Sequence, residues 1–230
     1  MTSISARARS GVKRVLGTRG VARTKRVVAL LLSRDLTRLG RFYGTNKAYP
    51  DFMYTPHYEK YLRSRRWQPL RILEIGIGGY SQGTGGSSLR MWRTYFPRAH
   101  VFGIDIEPRD LREPRITTYC GSQSDPAFLE RVVAEIGAPD VVIDDGSHRS
   151  ADIITSFETL YPHLASGGLY VIEDLHCSYN PDYGGGPPGS EHTSVELVKD
   201  LVDRVAQRRP GVDETAAIHV YPRIAFIEKR

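Results

Sequence analysis

Short apolar runs alternate with amphipathic segments of helical length along most of the chain. Apolar runs of four to six residues are typical of buried strands, and apolar positions spaced three or four apart predict helices. Strands that alternate with helices favour a mostly parallel sheet covered by helices. The predicted strands are Arg71 to Ile75, Val101 to Ile106, Ile116 to Cys120, Asp140 to Asp144, Gly168 to Glu173, Ala216 to Val220 and Ile224 to Glu228, and the predicted helices are Ser87 to Tyr95, Pro126 to Ile136, Ala151 to Leu160 and Thr193 to Arg208.

The last two predicted strands are separated only by Tyr221, Pro222 and Arg223. Such a short link suits an antiparallel hairpin. At 230 residues the chain is long enough for one sizeable α/β core. We therefore predict an α/β fold: a doubly wound, mostly parallel, seven-stranded Rossmann-like sheet with a C-terminal antiparallel hairpin.

Charge is distributed unevenly between the N-terminus and the rest of the chain. Residues 1–41 carry a net charge of +10, which leaves −4 for residues 42–230 against a total of +6. We predict a basic N-terminal arm over 1–41, a solvated segment or a helix with its Leu face on the domain, and one domain over 42–230. A membrane-surface or polyanion-binding arm is the alternative. Nucleic acid is not expected as a partner because the domain is net negative and lacks a motif that reads it.

Only two cysteines occur, Cys120 and Cys177, and neither belongs to a CxxC pair. A disulfide framework or a thiolate metal site is therefore not expected. The apolar run behind the basic residues is six residues long, too short for a membrane span. These features together predict a cytoplasmic protein.

A glycine-rich turn follows the first predicted strand. Gly76, Gly78 and Gly79 let the backbone approach a ligand closely. Asp105 lies at the end of the second predicted strand, one residue before Ile106, and a carboxylate at that position accepts hydrogen bonds from both hydroxyls of a ribose. The alternative is that Asp105 only caps the following turn. The pattern predicts a nucleotide-type cofactor site, although it is not the full dinucleotide-binding motif.

Two clusters of acidic residues lie at the ends of the fourth and fifth predicted strands. Asp145 follows one strand, and Glu173 and Asp174 follow the other. Mg²⁺ prefers oxygen ligands, and these three carboxylates supply a suitable number. His148 lies three residues after Asp145, and histidine is the side chain that most often acts as a general base, which makes it the candidate for that role. The alternative for each carboxylate is a helix cap or a surface charge, and the alternative for His148 is a structural residue at a helix start or in a hydrogen bond.

The motifs at these positions resemble those of class I S-adenosylmethionine-dependent methyltransferases, and within them the macrolide sugar O-methyltransferases of the mycinamicin and macrocin type. The resemblance extends from about Phe42 to the C-terminus. The chain is also similar to mycobacterial methyltransferases that act on methylmannose oligosaccharides. The motifs that carry the resemblance are Gly44-Thr45-Asn46-Lys47, Tyr54-Thr55-Pro56-His57-Tyr58, Leu73 to Tyr80, Ser88 to Trp92, Asp144 to His148 and Ile172 to Leu175.

The resemblance implies an S-adenosylmethionine- and Mg²⁺-dependent transfer of a methyl group to a sugar hydroxyl, in polysaccharide biosynthesis or on a glycosylated natural product. It implies that Asp145, Glu173 and Asp174 hold the metal and that His148 and Asp144 are catalytic. The macrolide enzymes carry a further N-terminal domain. The resemblance therefore does not imply a macrolide acceptor or a particular oligomeric state for this chain. The cofactor site it implies consists of Tyr54, Tyr58, Glu74, Gly76, Gly78, Tyr80, Ser87, Asp105, Ser122, Gln123 and Asp144.

Two other functions account for part of the pattern. A nicotinamide-dependent oxidoreductase explains the glycine turn and Asp105, and a non-catalytic binding module explains the basic arm. We further expect a homodimer, from the aromatic segment around Tyr54 and Tyr58, and a connector or an active-site lid in the Gly- and Pro-rich residues 183–189.

Overall fold

The structure is a computed structural model that describes residues 24–25, 27–78, 85–207 and 214–230. It contains a seven-stranded sheet with the strand order β3-β2-β1-β4-β5-β7-β6. The strands are β1 (Arg71–Ile75), β2 (His100–Asp105), β3 (Ile116–Cys120), β4 (Val141–Asp144), β5 (Leu169–Ile172), β6 (Thr215–Tyr221) and β7 (Ile224–Lys229).

Six α-helices with complete bounds surround the sheet in the described residues, and residues 27–32 are also helical. The helices are α1 (Leu36–Tyr43), α2 (Thr55–Leu62), α3 (Ser87–Tyr95), α4 (Pro126–Ile136), α5 (Ser150–Leu160) and α6 (Ser194–Gln207). Short 3₁₀ turns occupy Asn46–Ala48, Arg63–Arg65, Leu175–Tyr179 and Pro181–Tyr183.

The first five strands are parallel, and the register brings their carboxyl ends to one edge of the sheet. Ile75 at the end of β1 lies opposite Ile104 of β2 and Asp144 of β4. Asp144 in turn lies opposite Ile172 at the end of β5. The segments that follow these strands therefore meet at that edge, which is where ligands bind in open α/β sheets.

The C-terminal strands close the sheet as an antiparallel hairpin. Strand β7 pairs with both β5 and β6, in each case antiparallel. Arg223 in the turn has φ 69°, a left-handed conformation that tight turns require and that non-glycine residues adopt at some cost. The prediction of a mostly parallel seven-stranded sheet with a C-terminal hairpin is confirmed.

Apolar side chains pack on both faces of the sheet as two separate core clusters. Ala29, Leu36 and Leu39 are buried in one of them, so part of the predicted arm packs against the domain. Helix α1 begins where Asp35 accepts a hydrogen bond from the Arg38 N–H at 2.8 Å, and it ends at Gly44 in the left-handed region. The division at residue 41 stays a prediction.

The aromatic segment after α1 also belongs to the core. The rings of Tyr54 and Tyr58 are 1% and 0% exposed. They offer no surface to a second copy of the chain, and the homodimer stays a prediction. Among the described residues, no helix is long and apolar enough to cross a membrane.

Candidate active site

One cavity of about 850 Å³ lies at the carboxyl edge of the parallel strands. It extends from the loop after β2 to the loop after β4, and residues 44–47 and Tyr49 contribute to its wall. A volume of this size is in the range of sites for small organic ligands. Eight residues of the predicted site line it: Gly76, Gly78, Ser87, Asp105, Ser122, Gln123, Asp145 and His148.

The glycine turn after β1 allows two backbone segments to come together. Gly76 has φ 83°, and a Cβ at this position would collide with the backbone carbonyl of Asp145. Only glycine satisfies both the conformation and the space. The turn therefore sets the distance between the loop after β1 and the acidic loop after β4. Tyr80, predicted to contact the cofactor, lies outside the described residues.

Asp105 lies at one end of the cavity, where backbone N–H groups orient both of its carboxylate oxygens. Oδ2 accepts a hydrogen bond from the Ile77 N–H at 3.2 Å, and Oδ1 accepts one from the Glu107 N–H at 2.9 Å. Nε of Arg109 lies 3.6 Å from Oδ2. The second hydrogen bond is the turn cap considered as the alternative role, and the same carboxylate also lines the cavity.

Three predicted site residues converge near the opposite end of the cavity. Asp145, His148 and Asp174 each present one potential metal-binding atom, and these atoms lie within 4.8 Å of one another. Nε2 of His148 is 3.6 Å from Oδ2 of Asp174. The backbones of His148 (φ 59°) and Asp174 (φ 51°) are both left-handed, a strained state that persists where the surroundings impose it and that clusters at functional sites.

Glu173, the third predicted metal ligand, is adjacent but does not belong to this group of three. It is 1% exposed and does not line the cavity. Its Oε2 accepts a hydrogen bond from Nζ of Lys47 at 2.8 Å, and its Oε1 accepts a short one from the Tyr58 hydroxyl. Burial raises the pKa of Glu173 well above its usual range, and the Lys47 ammonium opposes that increase.

Lys47 is a functional candidate to which the sequence analysis assigned no role. Its side chain is 1% exposed, and Nζ lies 2.5 Å from Asp145, 2.8 Å from Glu173 and 3.2 Å from Glu74. Burial alone would lower the pKa of Lys47, but the three carboxylates outweigh it and raise the pKa well above the usual value. Its position in the motif Gly44-Thr45-Asn46-Lys47 was the only available signal.

The two tyrosines predicted to contact the cofactor donate hydrogen bonds to the acidic residues, and their contact with the cofactor stays a prediction. The Tyr54 hydroxyl donates to Oδ1 of Asp174 at 2.6 Å, and the Tyr58 hydroxyl donates to Glu173. Burial raises the pKa of both phenols, with the carboxylate each one contacts adding to the shift. Both tyrosines therefore remain donors that fix the carboxylates, and neither lines the cavity.

Glu74 and Asp144 also lie behind the cavity wall. Glu74 is 0% exposed and accepts a hydrogen bond from the Trp92 indole at 2.9 Å. Asp144 is 1% exposed and accepts hydrogen bonds from Gln123 Nε2 at 3.1 Å and from the Ser156 hydroxyl. Burial raises the pKa of Asp144 to about 6, and these donors oppose the increase.

Asp144 is hydrogen-bonded to Gln123, which lines the cavity. While Nε2 of Gln123 donates to Asp144, its Oε1 accepts a hydrogen bond from the Ser147 N–H at 2.7 Å. The residue after Ser147 is His148. This chain of hydrogen bonds orients the loop that carries the histidine, so the structure gives Asp144 a positioning contact rather than access to a ligand.

The Gly- and Pro-rich residues 183–189 are packed close to this loop. The Tyr183 and His148 rings have centroids 6.3 Å apart. The Gly186 N–H donates to the Ser178 carbonyl at 3.0 Å, and Gly184 is left-handed. The segment has a defined path beside the candidate base, and its role as a lid stays a prediction.

Similar proteins place this geometry in context. No protein-family profile matches the chain. It is 44% identical over 209 residues to mycinamicin VI 2''-O-methyltransferase of Micromonospora griseorubida and 45% identical over 209 residues to demethylmacrocin O-methyltransferase of Streptomyces fradiae. The matches cover 85% of this chain and 52% and 53% of those proteins.

A solved structure has the same fold. The methyltransferase MycE of the mycinamycin biosynthetic pathway, in complex with Mg, SAH and mycinamycin VI, superposes with a TM-score of 0.81 at 43% identity. The match covers 85% of this chain and 53% of that one. The chain thus spans about half the length of the curated relatives it matches.

Proposed function

We propose that this chain, a homologue of the macrolide sugar O-methyltransferases with their Rossmann-like fold, is an S-adenosylmethionine- and Mg²⁺-dependent O-methyltransferase that acts on a sugar hydroxyl. The observation that carries the proposal is the continuity of the cavity. Asp105 lines one end, Asp145 and His148 line the other, and the glycine turn lies between them, with Gly78 next to Asp105 and Gly76 next to Asp145. A methyl donor and an acceptor hydroxyl must meet in one space for direct transfer.

The end of the cavity near Asp105 fits the nucleoside part of S-adenosylmethionine. Asp105 is held by two backbone N–H groups, so its carboxylate is preorganised to accept hydrogen bonds from ribose hydroxyls. Gly76 and Gly78 keep side chains out of the adjacent space. Ser122 lines the same cavity and offers a hydroxyl to the adenine, whereas the amide of Gln123 already bonds to Asp144 and Ser147.

The acidic end fits a hard divalent cation. Asp145 and Asp174 supply oxygen ligands within reach of one ion, which is the chemistry that Mg²⁺ prefers. Glu173 would complete the carboxylate set. Because both of its oxygens already accept hydrogen bonds, it would share an oxygen or exchange a partner to do so.

His148 is the proposed general base. Asp174 lies 3.6 Å from Nε2 and favours the imidazolium that forms when the ring takes up a proton. The loop that carries His148 is held by Gln123 and Asp144, so the imidazole is presented to the cavity by a supported backbone. When bound, S-adenosylmethionine supplies an electrophilic methyl group and Mg²⁺ lowers the pKa of the acceptor hydroxyl.

The proposed acceptor is a glycosylated small molecule. The relatives named above act on mycinamicin VI and demethylmacrocin by their names, and a cation that accepts two oxygens suits the adjacent hydroxyls of a sugar. We place the activity in the cytoplasm, where two free cysteines such as Cys120 and Cys177 stay reduced.

Two measurements test this function. Titration calorimetry with S-adenosylhomocysteine and, separately, NADH distinguishes a methyltransferase from a nicotinamide-dependent oxidoreductase. We expect heat only with the first ligand. A panel of small glycosides with labelled S-adenosylmethionine and Mg²⁺ then identifies the acceptor. Label on a carbon or nitrogen of the product, or binding of NADH alone, would overturn the proposal.

A further inference from the structure

Lys47 is a buried cation within an otherwise acidic group of residues. Its ammonium contacts Asp145, Glu173 and Glu74, and the lysine and both glutamates are at most 1% exposed. Lysine is almost never fully buried unless it is paired, because removal of an ammonium from water is costly. Three carboxyl groups surround this one ammonium, so acidic side chains outnumber basic ones in a buried site.

The residues that Lys47 joins come from distant parts of the chain. Lys47 lies in the 3₁₀ turn Asn46–Ala48, whereas Asp145 follows β4 and Glu173 follows β5. Two of these carboxylates belong to the proposed metal set, and the residue that precedes Lys47 lines the cavity. The ammonium therefore holds the acidic strand ends together and attaches the cavity wall to them.

We propose that Lys47 is a resident cation of the acidic site, which holds Asp145 and Glu173 together and competes with a divalent ion for their charge. The inference rests on the proposed function, because it assumes that a divalent ion binds beside these residues. Opposite charge within about 4 Å stabilises each carboxylate, and the same positive charge opposes the approach of a second cation. Lys47 is thus a positioning residue that sets the metal affinity.

This role gives an unusual expectation for Lys47→Met, which keeps the length of the side chain and removes the charge. Without metal, the carboxylates lose their counter-ion, so the variant should unfold at a Tm lower by roughly 10 °C. With metal, the ion should restore the missing charge. The Mn²⁺ dissociation constant should fall by about tenfold, and the metal-induced increase in Tm should exceed that of the parent.

The experiment measures Mn²⁺ binding by electron paramagnetic resonance and Tm in EDTA and in saturating Mn²⁺, for the full chain without acceptor. Lys60→Met is the matched control, since Lys60 is an exposed lysine that contacts the Tyr221 hydroxyl at 2.8 Å. It should leave both readouts unchanged. Lys47→Arg keeps the charge and should bind Mn²⁺ more like the parent than Lys47→Met does.

A second variant tests the same inference by removing a carboxylate instead of the ammonium. Glu74→Gln removes one carboxylate from around Lys47 and keeps an oxygen acceptor for the Trp92 indole. The ammonium is then shared between Asp145 and Glu173 alone, so Mn²⁺ should bind several-fold more weakly than in the parent. Unchanged Mn²⁺ affinity in both Lys47→Met and Glu74→Gln would overturn the inference.

The remaining outcomes are also decisive. A Lys47→Met protein that stays unfolded even when it is produced and purified in Mn²⁺ would overturn the inference, because the ion would not have replaced the ammonium. Weaker Mn²⁺ binding in Lys47→Met would overturn it as well. If the parent itself bound no Mn²⁺, the failure would lie with the proposed metal-dependent function rather than with Lys47.

Discussion

Replacement of His148 separates its proposed chemistry from its structural contribution. His148 has φ 59°, so an alanine would leave a strained backbone without the side chain that belongs there. Asparagine occupies the left-handed region more readily than most residues and cannot act as a base near neutral pH. We therefore choose His148→Asn as the main variant and His148→Ala for comparison.

We expect turnover to fall by roughly 10²- to 10⁴-fold in both variants, which corresponds to roughly 2.7 to 5.5 kcal/mol of activation free energy. Binding of S-adenosylhomocysteine should stay within about threefold of the parent, because Asp105 and the glycine turn keep their backbone contacts. Initial rates of labelled methyl transfer and titration calorimetry measure the two quantities.

His163→Asn is the control, since His163 is 40% exposed and pairs with Glu130 at the surface. It should change neither the rate nor the affinity. Turnover of His148→Asn within a few-fold of the parent would remove His148 from the role of base. A loss of cofactor binding equal to the loss of turnover would instead assign it to ligand binding.

Three further predictions address the metal, the cofactor and the buried support. EDTA should abolish methyl transfer and Mg²⁺ should restore it, so full activity in chelator would contradict the metal requirement. Asp105→Ala should weaken S-adenosylhomocysteine binding by about tenfold or more in calorimetry. Asp110 is exposed, so Asp110→Ala is the control and should not weaken binding. Equal affinities of the two variants would exclude Asp105 from the ribose site. Trp92→Phe removes the donor to buried Glu74 and should lower stability by about 1–3 kcal/mol in denaturant unfolding, with exposed Trp67→Phe as the control; equal stabilities would refute the importance of that hydrogen bond.

The sheet follows from local patterns that the sequence displays directly. Apolar runs separated by amphipathic segments predicted all seven strands, and the observed ends differ by about one residue. The second strand was predicted to end at Ile106, but it ends at Asp105, and the Ile106 side chain is 69% exposed. The predicted strand was one residue too long because Ile106 is apolar, and exposed isoleucine also occurs in loops.

The candidate site was predictable where residues at strand ends meet. Gly76, Asp105, Asp145 and His148 lie in one cavity because parallel strands bring their carboxyl ends together. The supporting contacts were not predictable in this way. Lys47 contacts a residue 126 positions away, and a lysine in a turn is expected in solvent. Pairing over such distances depends on the folded chain.

The hydrogen-bond partners of the buried polar residues were also not predictable from the sequence. Asp144 at a strand end was predicted to be catalytic, but the donors Gln123 and Ser156 satisfy its carboxylate. The hydroxyl of Tyr58 donates to Glu173, and the predicted contact of Tyr58 with the cofactor stays a prediction. Residue type and position identify a candidate site residue. The hydrogen-bond donors around it decide whether it is free to contact a ligand or is engaged with other residues of the protein.

The proposed mechanism requires Asp145 and Asp174 to bind a single divalent ion next to a methyl donor. A crystal structure with S-adenosylhomocysteine and Mn²⁺, with anomalous data collected for manganese, tests it most directly. We expect one anomalous peak in contact with both carboxylates, and the nucleoside beside Asp105 in the same cavity. Absence of a peak at those carboxylates in a fully occupied cofactor complex, or a nucleoside bound elsewhere, would contradict it.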